Sequence, residues 1–409
     1  MSAAPEAVPA RTLTVLHVAE MSGPARSLLD RISWLAEVGE VELVVPGPGP
    51  AADLYADVAN VTRLDYRALT LPRSPAQAAA LARGWRREVS SFRGRIRATR
   101  PDLVLCATAT LPAALFAARR ERVPAILYAT EVLVTGRSPL RRLAGRALAR
   151  AVGSAASAVA ASSELVATQY PRSKTTVIPP PIPDAFGGGD GPGFRRRHGI
   201  PPDAPLVLGV GSLSAGRGQD VLLDAVARVR RRFPEVGCAL VGVPFARTVD
   251  LEYERRLRRI AATLDTSPRT GDSGGSPAIA FCGYEPRMED AYAAATVVVN
   301  PARFPEPFGR VACEGLAASR PVVATRVGAI PGILKDGETA LLVPPEDPLA
   351  LATAIEAMLR EPERARALAE AGRRDVLERF APERSLVSFK SLVRATLHPG
   401  RAGRESPAP

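Results

Sequence analysis

The chain is poor in the side chains that most often hold metals or shuttle protons. Histidine occurs only at His17, His198 and His398, so widely dispersed that a zinc site is not expected. Cysteine occurs only at Cys106, Cys238, Cys282 and Cys313, each in or beside an apolar run and none in a CxxC pair. These read as buried thiols of a reducing compartment, without a disulfide framework. Aromatic residues are 5% of the chain, and no helix-turn-helix, RNA-recognition or zinc motif is present, so nucleic acid is not an expected partner. No stretch of about 18 uninterrupted apolar residues occurs, and the opening MSAAPEAVPARTLTVLHVAE lacks a basic segment followed by a long apolar one. The expectation is a cytoplasmic protein, at most peripheral to a membrane. Lysine is scarce too: of 54 Lys and Arg residues only Lys174, Lys335 and Lys390 are lysine. The formal net charge of +12 is therefore an arginine excess of the kind a GC-rich genome produces, compatible with an anionic partner without choosing one.

What is present is a globular composition, 46% hydrophobic and 23% charged, in 409 residues, a length that suits two domains. From Thr12 to Val177 short runs such as TLTVLHVA, VELVVPG, DLVLCAT, AILYAT and AVAAS alternate with segments of helical period such as ARSLLDRISWLAEVG. Strands that are apolar throughout, separated by amphipathic helices, predict a parallel sheet covered on both faces. The stretch IPPPIPDAFGGGDGPGFRRRH interrupts the pattern, after which PLVLGVGSL, GCALVGV, AIAFCGY, ATVVVNP, RPVVATR and TALLVPP restart it, with QDVLLDAVARVRRRF, ACEGLAA and DPLALATAIEAMLRE as helices. The expected organisation is an α/β first lobe over 1–183, a Pro/Gly-rich linker over 184–200, a second lobe over 201–382, an amphipathic segment over 383–397 and a disordered tail over 398–409. DTSPRTGDSGGSP, 265–277, reads as a loop or insertion. Two Rossmann-like parallel sheets of similar size imply a cleft between them.

In such sheets ligands gather at the carboxyl ends of strands, where glycine lets the backbone approach a phosphate and helix N-termini present N–H groups. Three loops qualify. One holds Ser22, Gly23, Pro24 and Arg26. The second runs from Gly211 and Ser212 to Arg217 and Gly218, and the third is NPARFPEPFGRVACE, Asn300–Glu314.

At these residues the chain resembles the family 4 (group 1) retaining glycosyltransferases. GVGSLSAGRGQDVLLDAV is similar to their donor-phosphate loop. PEPFGRVACEGLAASRPVVATRVGAIPGIL is similar to their hallmark segment, with Glu306 and Glu314 separated by seven residues. TVLHVAEMSGPARSLL, RPDLVLCAT and IPPPI match the family's N-terminal glycine loop, a following strand and its hinge. The resemblance implies the GT-B architecture, with 383–397 crossing back to the first lobe. It also implies transfer of a hexose or N-acetylhexosamine from a nucleoside diphosphate sugar, uridine favoured and GDP-mannose second, with retention and without a metal or other cofactor. The acceptor would be a hydroxyl of a small molecule such as a natural product or aminocyclitol, or of a glycan or lipid-linked precursor.

The residue chemistry fits that reading. A departing diphosphate needs fixed charge and oriented donors. Arg217 offers a non-titrating fork, and Pro307, Phe308, Gly309 and Arg310 surround a helix start that can add N–H groups. By resemblance Glu306 would bind hydroxyls of the transferred sugar and Glu314 those of the ribose. The plain alternatives are a helix-capping Glu306, a solvated Glu314 and a Cys313 that only packs.

Two positions depart from the family. Ser212 stands where an arginine is usual and Arg217 where a lysine is usual, so a cation is missing, with Arg303, Arg310 or Arg26 as candidate replacements. On the acceptor side Glu131 stands alone in a place where histidine is common. A carboxylate there can orient or deprotonate an acceptor hydroxyl and would suit a cationic acceptor. GRSPLRRLAGRALARAV, 136–152, is a basic amphipathic helix suited either to an anionic bilayer or to packing its apolar face on the sheet. A non-catalytic nucleotide-sugar-binding partner protein and a GT-B sugar-nucleotide epimerase are the alternative functions.

Overall fold

The computed structural model describes residues 8–17, 19, 27–69, 74–135, 138–245, 247–265 and 278–398. The chain divides into two units, one comprising 1–181 with 382–409 and the other 182–381.

In the first unit the strands are β1 (Arg11–Leu16), β2 (Glu40–Val45), β3 (Asn60–Arg63), β4 (Leu103–Ala107), β5 (Ala125–Ala129), β6 (Ala158–Ala161) and β7 (Thr175–Val177). They form one parallel sheet in the order β3-β2-β1-β4-β5-β6-β7. Every residue of β4, β5 and β6 is buried, as the unbroken apolar runs require of strands covered on both faces. The edge strands β3 and β7, NVTR and TTV, are short and half-exposed, which is why they carry little sequence signal.

The helix Pro382–Leu397 belongs to this first unit, as expected from the resemblance. Phe389 is fully buried with its ring edge-on to Trp34 at 6.1 Å. Arg31, 1% exposed, donates to the carbonyls of Ser27 and Pro179 and to Ser385 Oγ. That fan ties the helix Leu29–Val38, the end of the first chain passage and the returning helix to one guanidinium.

The second unit holds β8 (Leu206–Val210), β9 (Gly237–Val241), β10 (Ile279–Gly283), β11 (Val297–Asn300), β12 (Val322–Thr325) and β13 (Leu341–Val343). They pair in parallel as β10-β9-β8-β11-β12-β13.

Residues 184–200 are not a linker. They form a 3-10 turn, Asp184–Gly188, and the helix Gly191–Arg197, both built into the second unit. Phe194 is fully buried, Phe186 meets Tyr292 edge-on, and the Asp190 N–H donates to the Asp290 carboxylate at 2.8 Å. The glycines that suggested slack permit contact instead: a Cβ at Gly189 would lie 2.0 Å from the carbonyl oxygen of Glu289, and one at Gly191 2.7 Å from that of Ala293. The first unit accordingly ends at 181 rather than 183.

Two further expectations need adjustment. The basic helix spans Pro139–Ala155, and it buries Gly145, Ala149, Val152 and Gly153, with Leu148 partly buried against the core and Leu140 and Leu143 turned away from it. Leu140 and Leu143 stand outward at 78% and 62% exposure beside exposed Arg141, Arg142 and Arg146. The physical reason is close approach, because a Cβ at Gly145 would collide with the Leu133 carbonyl at 2.3 Å. Of the four thiols, Cys282 is only partly buried. The tail from 399 and the segment 266–277 lie outside the described residues.

Candidate active site

In the second sheet the strand order reverses between β8 and β11, so the crevice beyond their carboxyl ends is the place this topology provides for a ligand. The loops leaving those two strands are the ones the sequence singled out. After β8 the chain turns through Gly211 (φ 134°), reaches a 3-10 turn at Ala215–Arg217, and enters the helix Gln219–Val229 through Gly218 (φ 71°). A Cβ at Gly218 would meet the Pro301 carbonyl at 2.0 Å, so glycine is needed for the β8 and β11 loops to touch. The Gln219 amide holds the first loop by donating to the Ser212 carbonyl at 3.0 Å.

After β11 the chain runs through Arg303, Glu306, Pro307 and Phe308 into the helix Arg310–Ala317, which Gly309 opens at φ 94°. Phe308 is buried with its ring on Phe380 at 4.9 Å, leaving only its backbone for a ligand. Arg217 and Glu306 are brought together in an ion pair, the arginine partly exposed and the carboxylate 8% exposed. Glu314 sits one turn into the helix, also 8% exposed, accepting from Arg310 at 2.7 Å and from the Tyr292 hydroxyl at 2.7 Å. Neither carboxylate is a solvated surface group. The geometry instead gives Glu306 the Arg217 guanidinium as its partner, and the helix that follows opens on Gly309.

Two of the candidate substitutes for the missing cation are already engaged. Arg303 binds Asp220 at 2.8 Å, and Arg310 binds Glu314. Burial raises the Asp220 carboxyl, but hydrogen bonds from Arg303 and from the Tyr253 hydroxyl (2.7 Å) outweigh it and hold the group below the usual carboxylate range. The three arginines of these loops thus face three acids. Ser22, Gly23, Pro24 and Arg26 lie outside the described residues.

In the first unit, β5 delivers Glu131 to the carboxyl edge of its sheet, next to the loop leaving β4. Burial pushes the Glu131 carboxyl up to about 7, against hydrogen bonds from the Thr108 hydroxyl and from the N–H groups of Thr130 (3.2 Å) and Ala109. The loop beyond is pinned by Gln169, whose Oε1 accepts from the N–H groups of Leu133 (2.7 Å) and Val134 (3.1 Å) while its Nε2 donates to the Glu131 carbonyl at 3.1 Å.

Sequence reasoning missed Gln169, Tyr292, Asp220 and Gly328. The last lies inside the quoted TRVGAIPGIL, where a glycine just after a strand was the available signal, and its φ is 58°. A Cβ there would sit 2.2 Å from the Glu306 N and O, and the next residue, Ala329, donates its N–H to the Glu306 carbonyl at 2.8 Å. Among the described residues no group of three or more His, Cys, Asp or Glu side chains is placed to hold a metal ion. No helix among them is long and apolar enough to cross a membrane.

Comparison with known proteins agrees with this architecture. Residues 192–375 match the family described as glycosyl transferases group 1, and residues 22–181 match the glycosyl transferase 4-like domain. Curated relatives include a D-inositol 3-phosphate glycosyltransferase of Acidothermus cellulolyticus, 37% identical over 191 residues, which are 45% of this chain and 40% of that protein. Another is a GDP-mannose-dependent alpha-(1-6)-phosphatidylinositol monomannoside mannosyltransferase of Mycolicibacterium smegmatis, 32% identical over 46% of this chain and 47% of that protein. The chain spans about half the length of these relatives or less. Among solved structures, Anabaena Alr3699/HepE in complex with UDP-glucose superposes with a TM-score of 0.75 at 19% identity, over 94% of this chain and 99% of that one. A sucrose-phosphate synthase from Thermosynechococcus elongatus gives 0.73 at 22% identity, over 95% and 100%. At such identities the likeness is one of fold. The matched spans fall one in each unit, so the chain has a GT-B fold whose second unit is similar to the glycosyl transferases group 1 and whose first is similar to the glycosyl transferase 4-like domain.

Proposed function

We propose that this chain is a retaining glycosyltransferase that moves a hexose or N-acetylhexosamine from a nucleoside diphosphate sugar to a hydroxyl acceptor. The observation that carries the reading is the meeting of Arg217 with Glu306, one turn from Glu314, on the two loops at the strand-order reversal. Arg217 takes the β-phosphate, backbone N–H groups near Gly309 and Arg310 support it, Glu306 binds hydroxyls of the transferred sugar and Glu314 the ribose. The acceptor oxygen bonds to the anomeric carbon on the face from which the diphosphate departs, and the leaving phosphate oxygen takes the acceptor's proton. The protein contributes positioning and charge stabilisation, and needs no nucleophile of its own.

A uridine donor is favoured, in keeping with the UDP-glucose complex of the structural relative, with GDP-mannose second, in keeping with the mannosyltransferase. The names of the inositol-phosphate relatives make a cyclitol the acceptor to try first. Glu131, near neutrality, is suited to orient or deprotonate its hydroxyl. The exposed leucines and arginines of Pro139–Ala155 suit contact with an anionic bilayer, which sedimentation with anionic vesicles against Leu140→Ser tests. A non-catalytic nucleotide-sugar-binding protein is favoured by one observation, the uncharged Ser212 with Arg303 and Arg310 both paired. The deciding experiment combines UDP- and GDP-sugars with cyclitol and sugar acceptors, following nucleotide release and, by NMR, the anomeric configuration of the product. Retained configuration supports the proposal, an inverted product refutes it, and binding without turnover on every acceptor favours the non-catalytic reading.

A further inference from the structure

A second cavity, of about 600 Å³, opens at the opposite end of the same sheet from the donor loops. Its walls come from segments that precede strands rather than follow them: Pro202 ahead of β8, Ala295 and Thr296 ahead of β11, and Arg320 ahead of β12. Nothing in the proposed transfer reaction uses it.

The cavity is basic, and no Asp or Glu lines it among the described residues. Arg195, Arg196 and Arg320 line it, with Ile200, Pro202 and Ala294 as apolar wall. Arg195 is fixed by backbone carbonyls alone, donating to Pro201 (2.7 Å), Ala204 (2.8 Å) and Ala294 (2.7 Å). Asp203 is the acid whose field reaches it, but it forms no ion pair with it. Arg320 is only partly exposed, forms no ion pair among the described residues, and keeps its Nε buried without a hydrogen-bond acceptor. Burial and the facing charge of Arg320 hold the Arg195 guanidinium below its usual range, and burial does the same to Arg320. This is unlike the donor loops, where each arginine has its acid. Two guanidinium groups held in each other's field at the wall of a cavity, with a buried N–H left open, form a site that a dianion completes.

We propose that this cavity binds a phosphate monoester, its phosphate between Arg195 and Arg320 and its organic body against Ile200, Pro202 and Ala294. The charge selects a dianion, and the apolar wall favours an ester over inorganic phosphate. The site is separate from the donor loops and stands whether or not the transferase reading does.

The test is isothermal titration of the full chain with inorganic phosphate and with phenyl phosphate at constant ionic strength, in wild type, Arg320→Gln and Arg97→Gln, the last an exposed arginine of the first unit. Phenyl phosphate should bind more tightly than phosphate. Arg320→Gln should weaken both by at least about tenfold, and Arg97→Gln, which removes an arginine remote from the cavity, should leave them unchanged. Melting without added anion distinguishes a binding role from a structural one: Arg320→Gln should melt at or above the wild-type temperature because a repulsion is removed. The proposal is overturned if neither anion binds at about 10 mM, if Arg320→Gln binds as wild type does, or if Arg97→Gln weakens binding as much as Arg320→Gln. A lower melting temperature for Arg320→Gln with unchanged anion affinity would likewise assign the arginine to the fold.

Discussion

Glu131 offers a prediction in which folding and function pull in opposite directions. Burial pushes its carboxyl from the ordinary 4.5 to about 7, even though four hydrogen bonds favour the charged form. The sign follows from proton binding. Below pH 4.5 the group is protonated in both folded and unfolded chains and costs nothing. As pH rises, the unfolded chain releases its proton first, so the folded state binds more protons and stability falls until the folded group ionises near 7. Complete ionisation therefore costs on the order of 3 kcal/mol above pH 7. Glu131→Gln keeps the shape and removes the ionisation. Urea unfolding of both proteins between about pH 5 and 9 should show a stability difference that moves in favour of the variant through that window by a large part of that amount, then levels. On the proposed role the same variant should lose turnover, while the wild-type rate at low acceptor concentration rises through about pH 7. A stability difference that does not change with pH, or one that moves in favour of the wild type, would refute the reasoning.

Other positions give sharper single readouts. Arg217→Ala and Glu306→Ala should each lower turnover at least about tenfold in a nucleotide-release assay, the loss expected when one contact to the developing charge or the sugar is removed. Gly328→Ala forces a Cβ to within 2.2 Å of the Glu306 backbone at a φ of 58°, so it should cost about 1–3 kcal/mol in urea unfolding and raise the donor KM. Tyr292→Phe removes the hydroxyl that donates to Glu314 at 2.7 Å, and should cost about 1.5–3 kcal/mol by the same measurement.

The parallel sheets were legible because fully buried strands such as LVLCA and AILYA are unbroken apolar runs that no surface element could tolerate. The loops at β8 and β11 were legible through glycines and charged residues in strand-to-helix turns. The misreadings share a cause, since glycine has two opposite uses. At 184–200 it suggested slack, whereas Gly189 and Gly191 exist to let backbones touch. At Gly145 it reversed the expected face of a helix by drawing the small residues inward and leaving Leu140 and Leu143 outside. Pairing was equally hidden. That Arg303 is committed to Asp220 depends on side chains 83 positions apart, which spacing does not encode.

Arg217 and Glu306 satisfy one another before any ligand arrives, and this bears on how the reaction would end. On the proposed roles a donor separates them, its phosphate taking the guanidinium and its sugar hydroxyls the carboxylate. A nucleoside diphosphate stripped of its sugar replaces only half of what it displaces, leaving a carboxylate only 8% exposed without a counter-charge. The original pair then competes with the spent nucleotide for Arg217. Substrate and product are thus told apart by whether both halves of a broken bond find new partners, and the residues that seat the donor also hasten the departure of what remains.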